Sequence, residues 1–324
     1  MRAMVFEEHG GPDKLIIKDL PVPEAGNGEV RVKIRAFGIN CAETYMRKGT
    51  WGNVAPVSGI ECVGEVDFDP SGGLRPGQKV AAIMGGLGRT RNGSYAEYTS
   101  IPSTNIFSLE TELPWDQLAA IPESYATAWI CLFENLRISK DQVLVVRGGT
   151  SALGQAALNI ATAAGTTVLA STRSQVKCPL LRRLGASVAL IEDGALSQAV
   201  RRLYPSGVDS VLDLVGNTVL RDSLRMLKKG GRLCQAGFLG GVQPVDFNPI
   251  FDMPSGAEMT FFGSFVLGTA DYPLANIPMQ VIVDRATTGT YKAKPVKVFP
   301  FELIPDAHRL MESDQANGKI VIVM

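Results

Sequence analysis

The sequence predicts an α/β protein: a doubly wound parallel sheet, together with a mostly antiparallel β domain drawn from both ends of the chain. Three observations carry this. Between residues 143 and 236 short apolar runs alternate with helical patterns. Before residue 118 the runs are β-like and punctuated by Gly and Pro, as at Pro21-Val-Pro23, Pro70-Ser-Gly-Gly73 and Pro76-Gly77. Beyond residue 267 the β character returns, so the tail is expected to pack on the N-terminal domain. The expected division is a β-rich domain of residues 1–118 completed by 267–324, around a doubly wound domain of residues 119–266.

In order, β runs at 3–6, 15–18, 29–36, 63–66, 79–84 and 94–100 form the loop-rich first domain. Helical patterns at 116–120 and 125–134 lead into the alternation. Residues 143–146 are a β-branched, apolar run of the kind a buried parallel strand shows. Helix 153–164 follows, with Leu153, Ala156, Ala157, Ile160, Ala161 and Ala164 at helical spacing. Strand 167–170, helix 174–184, strand 188–191, helix 195–203 and strand 210–214 continue it. Helix 219–228, closed by Gly230-Gly231, precedes strand 232–236. The apolar run 260–267 reads as a further strand whose edge invites pairing. The tail supplies β residues 294–301, helix 305–313 and a last strand, 319–324.

The 324 residues suffice for two domains with a sizeable core. With 32 basic and 32 acidic residues, composition offers nothing toward nucleic acid or an anionic membrane. The N-terminus has no signal-peptide layout. The mostly apolar stretch 152–170 is interrupted by Gln155, Asn159 and Gly165, and reads as helix plus strand rather than a membrane span. Cys41, Cys62, Cys131, Cys178 and Cys234 are scattered without a Cys-x-x-Cys pair, which predicts free thiols and a cytoplasmic protein.

The chemistry-bearing stretch is Val143-Leu-Val-Val-Arg-Gly-Gly-Thr-Ser-Ala-Leu-Gly154. A strand feeding a glycine turn that opens a helix leaves backbone N–H groups converging where the helix dipole favours an anion. Against G-x-G-x-x-G, Gly149 and Gly154 take the outer places and Ser151 the middle one. A dinucleotide pyrophosphate is the usual occupant.

Five stretches in order resemble the medium-chain dehydrogenase/reductase superfamily over essentially the whole chain. They are Gly38-Ile-Asn-Cys-Ala-Glu-Thr-Tyr-Met-Arg-Lys-Gly49, Gly59-Ile-Glu-Cys-Val-Gly-Glu-Val66, Gly93-Ser-Tyr-Ala-Glu-Tyr98, residues 147–154, and Asn317-Gly-Lys-Ile-Val321. Within it they look like the zinc-independent quinone oxidoreductase, or zeta-crystallin-like, branch. The resemblance implies a GroES-like β-barrel domain and a Rossmann domain. Zinc-dependent members place a histidine where Gly59-Ile60-Glu61 has isoleucine, which cannot donate to a metal. Residues 85–115 lack the cysteines of a structural zinc lobe. No metal is expected.

NAD-selective folds end the second strand with an acid that accepts from the ribose 2′-hydroxyl. Here Ala170-Ser-Thr-Arg-Ser-Gln-Val-Lys177 offers Ser171, Arg173 and Lys177 instead, which favours the 2′-phosphate of NADPH. Cofactor contacts are expected along Gly149, Thr150, Ser151, Ala152, Leu153 and Gly154. The nicotinamide half is expected near Val215, Gly216, Gly237, Phe238, Ser264 and Phe265, and the resemblance adds Thr127, Asn40 and Asn317.

The expected reaction is hydride transfer to a quinone or similar conjugated carbonyl. Its acceptor pocket is expected to draw on Asn40, Tyr45, Trp51, Tyr125 or Trp129, and Phe238. Asn40 or Tyr45 would hydrogen-bond the acceptor oxygen. Related enoyl reductases carry a tyrosine where Trp51 stands; an indole N–H is not a usable acid. Glu43 reads as an anchor. Alternatives are an enone, alkenal or enoyl-thioester double-bond reductase, and a non-catalytic NADPH-binding protein. A homodimer joined through the 260–267 edge is expected.

Overall fold

The computed structural model describes residues 1–313 and 315–324. Two compact units emerge: Met1–Ala126, Ser264–Gly289 and Ala293–Met324 form the first, Thr127–Gly263 with Thr290–Lys292 the second.

In the first unit β1 (Arg2–Val5) and β2 (Ile16–Asp19) make an antiparallel pair. The long β3 (Glu29–Ile39) buries Val30, Val32, Ile34 and Ala36 through strict alternation. After α1 (Cys41–Lys48) come β4 (Glu61–Phe68), β5 (Lys79–Ile83), β6 (Tyr98–Pro102), β7 (Ile106–Ser108) and α2 (Trp115–Leu118). Helix α3 (Pro122–Trp129) crosses the boundary between the units and continues as a π-helical stretch, Ile130–Asn135.

The second unit runs β8 (Val143–Arg147), α4 (Ala152–Ala163), β9 (Thr167–Thr172), α5 (Cys178–Arg183), β10 (Val188–Ile191) and α6 (Leu196–Leu203). It continues with β11 (Val208–Asp213), α7 (Leu220–Arg225), β12 (Leu227–Gln235), α8 (Pro249–Asp252) and β13 (Glu258–Phe261). The chain then completes the first unit with α9 (Met279–Thr287), β14 (Lys297–Pro300), α10 (Ile304–Glu312) and β15 (Ile320–Val323).

The second unit's six strands are all parallel in the order β10-β9-β8-β11-β12-β13. The winding direction reverses between β8 and β11, and ligands of such sheets bind beyond the carboxyl ends of the strands at that point. In the first unit the order is β14-β15-β3-β4-β5-β7, with β6 also on β3. Strand β15 lies antiparallel to β3, pairing Ile320 with Ile39 and Val323 with Ala36, so the tail completes that sheet. The predicted α/β class, with one parallel doubly wound domain and one mostly antiparallel domain, is what the chain forms.

Several boundaries differ from expectation. The helix expected to reach residue 228 stops at Arg225, and β12 begins at Leu227. Gly230 and Gly231 therefore sit inside a strand, where the register against β11 shifts between Val208 and Ser210. The 260–267 run is strand only to Phe261; Ser264–Val266 is a 3₁₀ turn. Helices α1 and α9 were not anticipated, nor was β7.

A buried polar knot ties the tail helix to α1. The Arg47 guanidinium, fully buried, donates from Nε to His308 Nδ1 at 3.3 Å and also bonds the Gly10 carbonyl and Glu312. His308 Nε2 lies 2.9 Å from the Tyr95 hydroxyl. Because Nδ1 accepts, the neutral ring carries its proton on Nε2. Burial first, then the Arg47 and Lys48 charges, lower this imidazole to about 3.

Candidate functional site

The second unit supplies an anion cradle. At the end of β8 the chain turns at Gly148, whose φ of +86° suits glycine. Gly149, in the first place of the fingerprint, serves packing: a Cβ there would lie 3.0 Å from Ala170 Cβ and from Leu181 Cδ2. A Cβ on Gly154 would stand 2.5 Å from the Gly148 carbonyl oxygen, so this glycine lets α4 seat against the turn. Ser151 is the N-cap of α4. Its hydroxyl accepts from Gly154 N at 3.1 Å and donates to the Gly148 carbonyl at 2.9 Å. The serine thus rigidifies the turn. The N–H groups of Ala152 and Leu153, in the first turn of α4, have no intrahelical acceptor, the arrangement that receives a phosphate oxygen.

Beyond β9 lies a basic turn. Ser171 is buried, and its hydroxyl is engaged inward, accepting from Gly148 N at 3.1 Å and reaching Glu192 at 3.3 Å. Arg173 is exposed and Lys177 half-buried. No acid follows the strand until Glu192, which closes β10.

The turns after β11 and β12 are locked together. Leu239 N and Gly240 N donate to the carbonyls of Leu214 and Val215 at 3.1 and 2.8 Å. A Cβ on Gly216 would meet the Gly237 carbonyl at 2.6 Å, and one on Gly237 the Leu214 carbonyl at 2.5 Å. Asp213 holds this turn from beneath, its Oδ1 accepting from Val215 N at 2.9 Å and Gly216 N at 2.8 Å. Burial pushes the Asp213 carboxyl up, with Ser223 and the backbone donors pulling the other way.

Under the carboxyl edge of the sheet, Arg147 is fully buried. Its Nε and Nη2 donate to the two oxygens of Glu192 at 2.8 and 2.5 Å. Its Nη1 lies 2.9 Å from both Asp222 Oδ2 and Ser223 Oγ, and Ser223 donates to Asp213 at 2.7 Å. Arg147 and its three acids went unnoticed in the sequence; an arginine ending an apolar strand was the available signal, because such a charge has to be paired.

The first unit carries a second buried cluster. Glu61 Oε1 accepts from Lys319 Nζ at 2.5 Å and Asn40 Nδ2 at 3.0 Å, and Oε2 accepts from Glu123 N at 2.9 Å. Lys319 also donates to Asn40 Oδ1 at 2.6 Å and lies 3.4 Å from Ser124 Oγ. Burial works against the Lys319 charge, but Glu61, Glu123 and Glu43 outweigh it and raise its pKa. Glu43 accepts from Asn40 N and Nδ2 and from Ile60 N at 2.7, 3.2 and 3.3 Å, which anchors the entry to α1 as expected. Burial pushes its carboxyl up to about 8, with Lys319 pulling it down. Both amide protons of Asn40 are thereby spent on carboxylates, so this side chain offers a ligand an acceptor rather than a donor. In the sequence Lys319 and Glu61 stand out only as members of the stretches 317–321 and 59–66.

The expected residues fall into two sets. Thr127, Trp129, Gly149 to Gly154, Ser171, Arg173, Lys177, Val215, Gly216, Gly237 and Phe238 belong to the second unit. Asn40, Tyr45, Trp51, Ser264, Phe265 and Asn317 belong to the first, as does Tyr125, which is buried. Tyr45 and Trp51 stack with ring centroids 6.1 Å apart and planes 3° apart. Trp129 packs on Phe133 at 4.3 Å and Phe238 on Phe261 at 5.9 Å. The Phe265 ring lies 5.0 Å beneath the Arg89 guanidinium. Asn317 has φ +53° and donates to the Gln315 carbonyl at 2.7 Å.

A glycine cradle at the switch point of a parallel sheet, with a GroES-like partner domain, defines a nucleotide-dependent oxidoreductase class. Family models agree: the alcohol dehydrogenase GroES-like domain matches residues 26–111 and the zinc-binding dehydrogenase domain residues 152–278. A quinone oxidoreductase of Sus scrofa is 25% identical, covering 100% of this chain and 98% of its own. A mycobacterial protein solved in complex with NADPH superposes with a TM-score of 0.88 at 25% identity, covering 100% of both chains. A structure described as an NAD-dependent alcohol dehydrogenase gives 0.85 at 27% identity, again over 100% of both. The chain belongs to the medium-chain dehydrogenase/reductase superfamily, in its quinone oxidoreductase branch.

Proposed function

We propose that the protein is an NADPH-dependent, zinc-independent reductase that delivers hydride to a quinone or similar conjugated carbonyl. The observation that carries the cofactor choice is the end of β9: Thr172 stands where an NAD-selective fold has an acid, and Arg173 and Lys177 follow. The cradle fits the cofactor, since Gly154 lets α4 seat against the Gly148–Gly149 turn and the first N–H groups of α4 remain for the pyrophosphate. Bound NADPH supplies the hydride. Arg173 and Lys177 would hold the 2′-phosphate, Thr150 to Leu153 the pyrophosphate, and Val215, Gly216, Gly237 and Phe238 the nicotinamide half. The quinone assignment draws on the names of the relatives and on the flat aromatic pair Tyr45 and Trp51. Trp51 lacks an acidic hydrogen, and Asn40 has no free donor, which leaves Tyr45 or water to protonate the acceptor.

Zinc does not fit the donor set. Ile60 offers no lone pair, Glu61 is neutralised by the Lys319 ammonium that would repel a cation, and burial pushes the Cys62 thiol up, away from the thiolate a metal requires. Among the described residues no helix is long and apolar enough to cross a membrane. Strand β13 forms the open edge of the parallel sheet with Met259 and Phe261 exposed, and a second copy pairing there makes a homodimer.

Fluorescence titration with NADPH and NADH tests the cofactor, and NADPH oxidation with simple quinones, enones and enoyl thioesters tests the acceptor. Tighter NADH binding refutes the first assignment. Much faster turnover of enones or enoyl thioesters replaces the second with a double-bond reductase, and binding without any turnover makes the protein a non-catalytic NADPH binder.

A further inference from the structure

Glu192 is a carboxylate that borders the end of β9 directly. Its backbone N–H donates to the Thr172 carbonyl at 2.8 Å, and its Oε2 lies 3.3 Å from Ser171 Oγ. Its side chain is 10% exposed. An acid at the second strand's end accepts from a ribose 2′-hydroxyl and repels a 2′-phosphate; Glu192 follows the adjacent strand β10 and hydrogen-bonds that end. Yet both of its oxygens are taken by the fork of Arg147, a guanidinium with no exposure at all. Arg147 is braced on its other side by Asp222, Ser223 and the Val219 carbonyl, so the fork is aimed and cannot swing away. A planar bidentate pair of this kind cancels the carboxylate's charge and fixes its direction together.

We propose that Arg147 determines cofactor preference: it silences Glu192, a latent acceptor for a 2′-hydroxyl, and so removes that carboxylate's repulsion of a 2′-phosphate bound at the turn of Arg173 and Lys177. The proposal rests on the NADPH reading above and deepens it. Arg147 is a positioning residue; it acts through Glu192. The charged group paired with Glu192 is Arg147. Asp213 and Asp222 face Arg147 from β11 and α7.

The test measures dissociation constants of NADPH, NADH, 2′,5′-ADP and 5′-AMP for the purified full chain, by fluorescence and calorimetry rather than turnover. The wild type is measured first. If it prefers NADH, the NADPH reading fails before any variant is made. Given an NADPH-selective wild type, Arg147→Gln lowers the NADPH-to-NADH preference at least tenfold, and the 2′,5′-ADP-to-5′-AMP ratio moves in parallel. Adding Glu192→Gln to it restores the preference to within threefold of wild type. Arg147→Lys, which keeps charge without the fork, falls between. Glu192→Gln alone leaves Arg147 its Asp222 partner and keeps or increases the preference. The proposal is overturned if Arg147→Gln weakens both cofactors equally, or if the double variant does not recover the ratio. Should Arg147→Gln fail to fold, Glu192→Gln alone decides, since a fall in NADPH preference there contradicts a silenced acid.

Discussion

Removing Lys319 exposes what its ammonium does for the first unit. Lys319 is 4% exposed and its partner Glu61 1%, with nitrogen and oxygen 2.5 Å apart. At an effective dielectric near 20, that separation corresponds to a gross attraction of about 6–7 kcal/mol. Desolvating two ions opposes it by several kcal/mol each, so the pair contributes little net stability beyond an apolar replacement. Breaking it is another matter. Lys319→Met leaves Glu61 buried beside Glu43 with no countercharge, and the expected loss is about 3–5 kcal/mol. Lys319→Met combined with Glu61→Gln removes the stranded charge and is expected to lose about 1–2 kcal/mol. The coupling between the positions is therefore at least about 1 kcal/mol, plus whatever Glu61→Gln alone costs. Urea unfolding at pH 7 followed by tryptophan fluorescence, analysed as a double-mutant cycle, measures it. A single variant costing under about 1 kcal/mol, or additivity within about 0.5 kcal/mol, refutes the reasoning.

His308 makes stability acid-sensitive. Its folded pKa of about 3 lies below the ordinary value of 6.5, so its stabilisation is complete above pH 6.5 and is lost as pH falls toward 3. Between pH 6.5 and 5 the wild type should lose about 2 kcal/mol more than His308→Gln in urea titrations; equal slopes would show the ring is not buried neutral. Ser151→Ala removes the α4 N-cap and should lower stability by about 1 kcal/mol, with weaker NADPH binding because the turn loosens. Gly154→Ala drives a methyl into the Gly148 carbonyl 2.5 Å away, and calorimetry should show NADPH affinity down at least tenfold. Phe261→Lys on the open edge of β13 should convert a dimeric mass to a monomeric one in light scattering, whereas a monomeric wild type removes the proposed interface.

The sequence by itself determined the fold class and the alternation of strands and helices from β8 to β12. A buried parallel strand must be apolar on both faces, and Val143 to Val146 are, while α4 announced itself by its spacing and by the glycines flanking it. The anion cradle was legible for the same reason: backbone N–H groups at a helix start need no particular side chain, only room, and Gly154 signals room. What escaped is pairing between residues far apart in the chain. Nothing local at Arg147 points to Glu192, 45 positions on, nor at Glu61 to Lys319, 258 positions on. The same holds for roles. Ser151 and Asn40 read as ligand-facing hydrogen-bonders, and only the folded chain shows the serine hydroxyl turned to its own helix and the amide protons drawn to Glu43 and Glu61. Periodicity and glycine spacing are one-dimensional signals and survive in a string of letters. Which buried charge finds which countercharge depends on the tertiary structure, because a low-dielectric interior penalises every unpaired ion and only packing decides which partner is in reach.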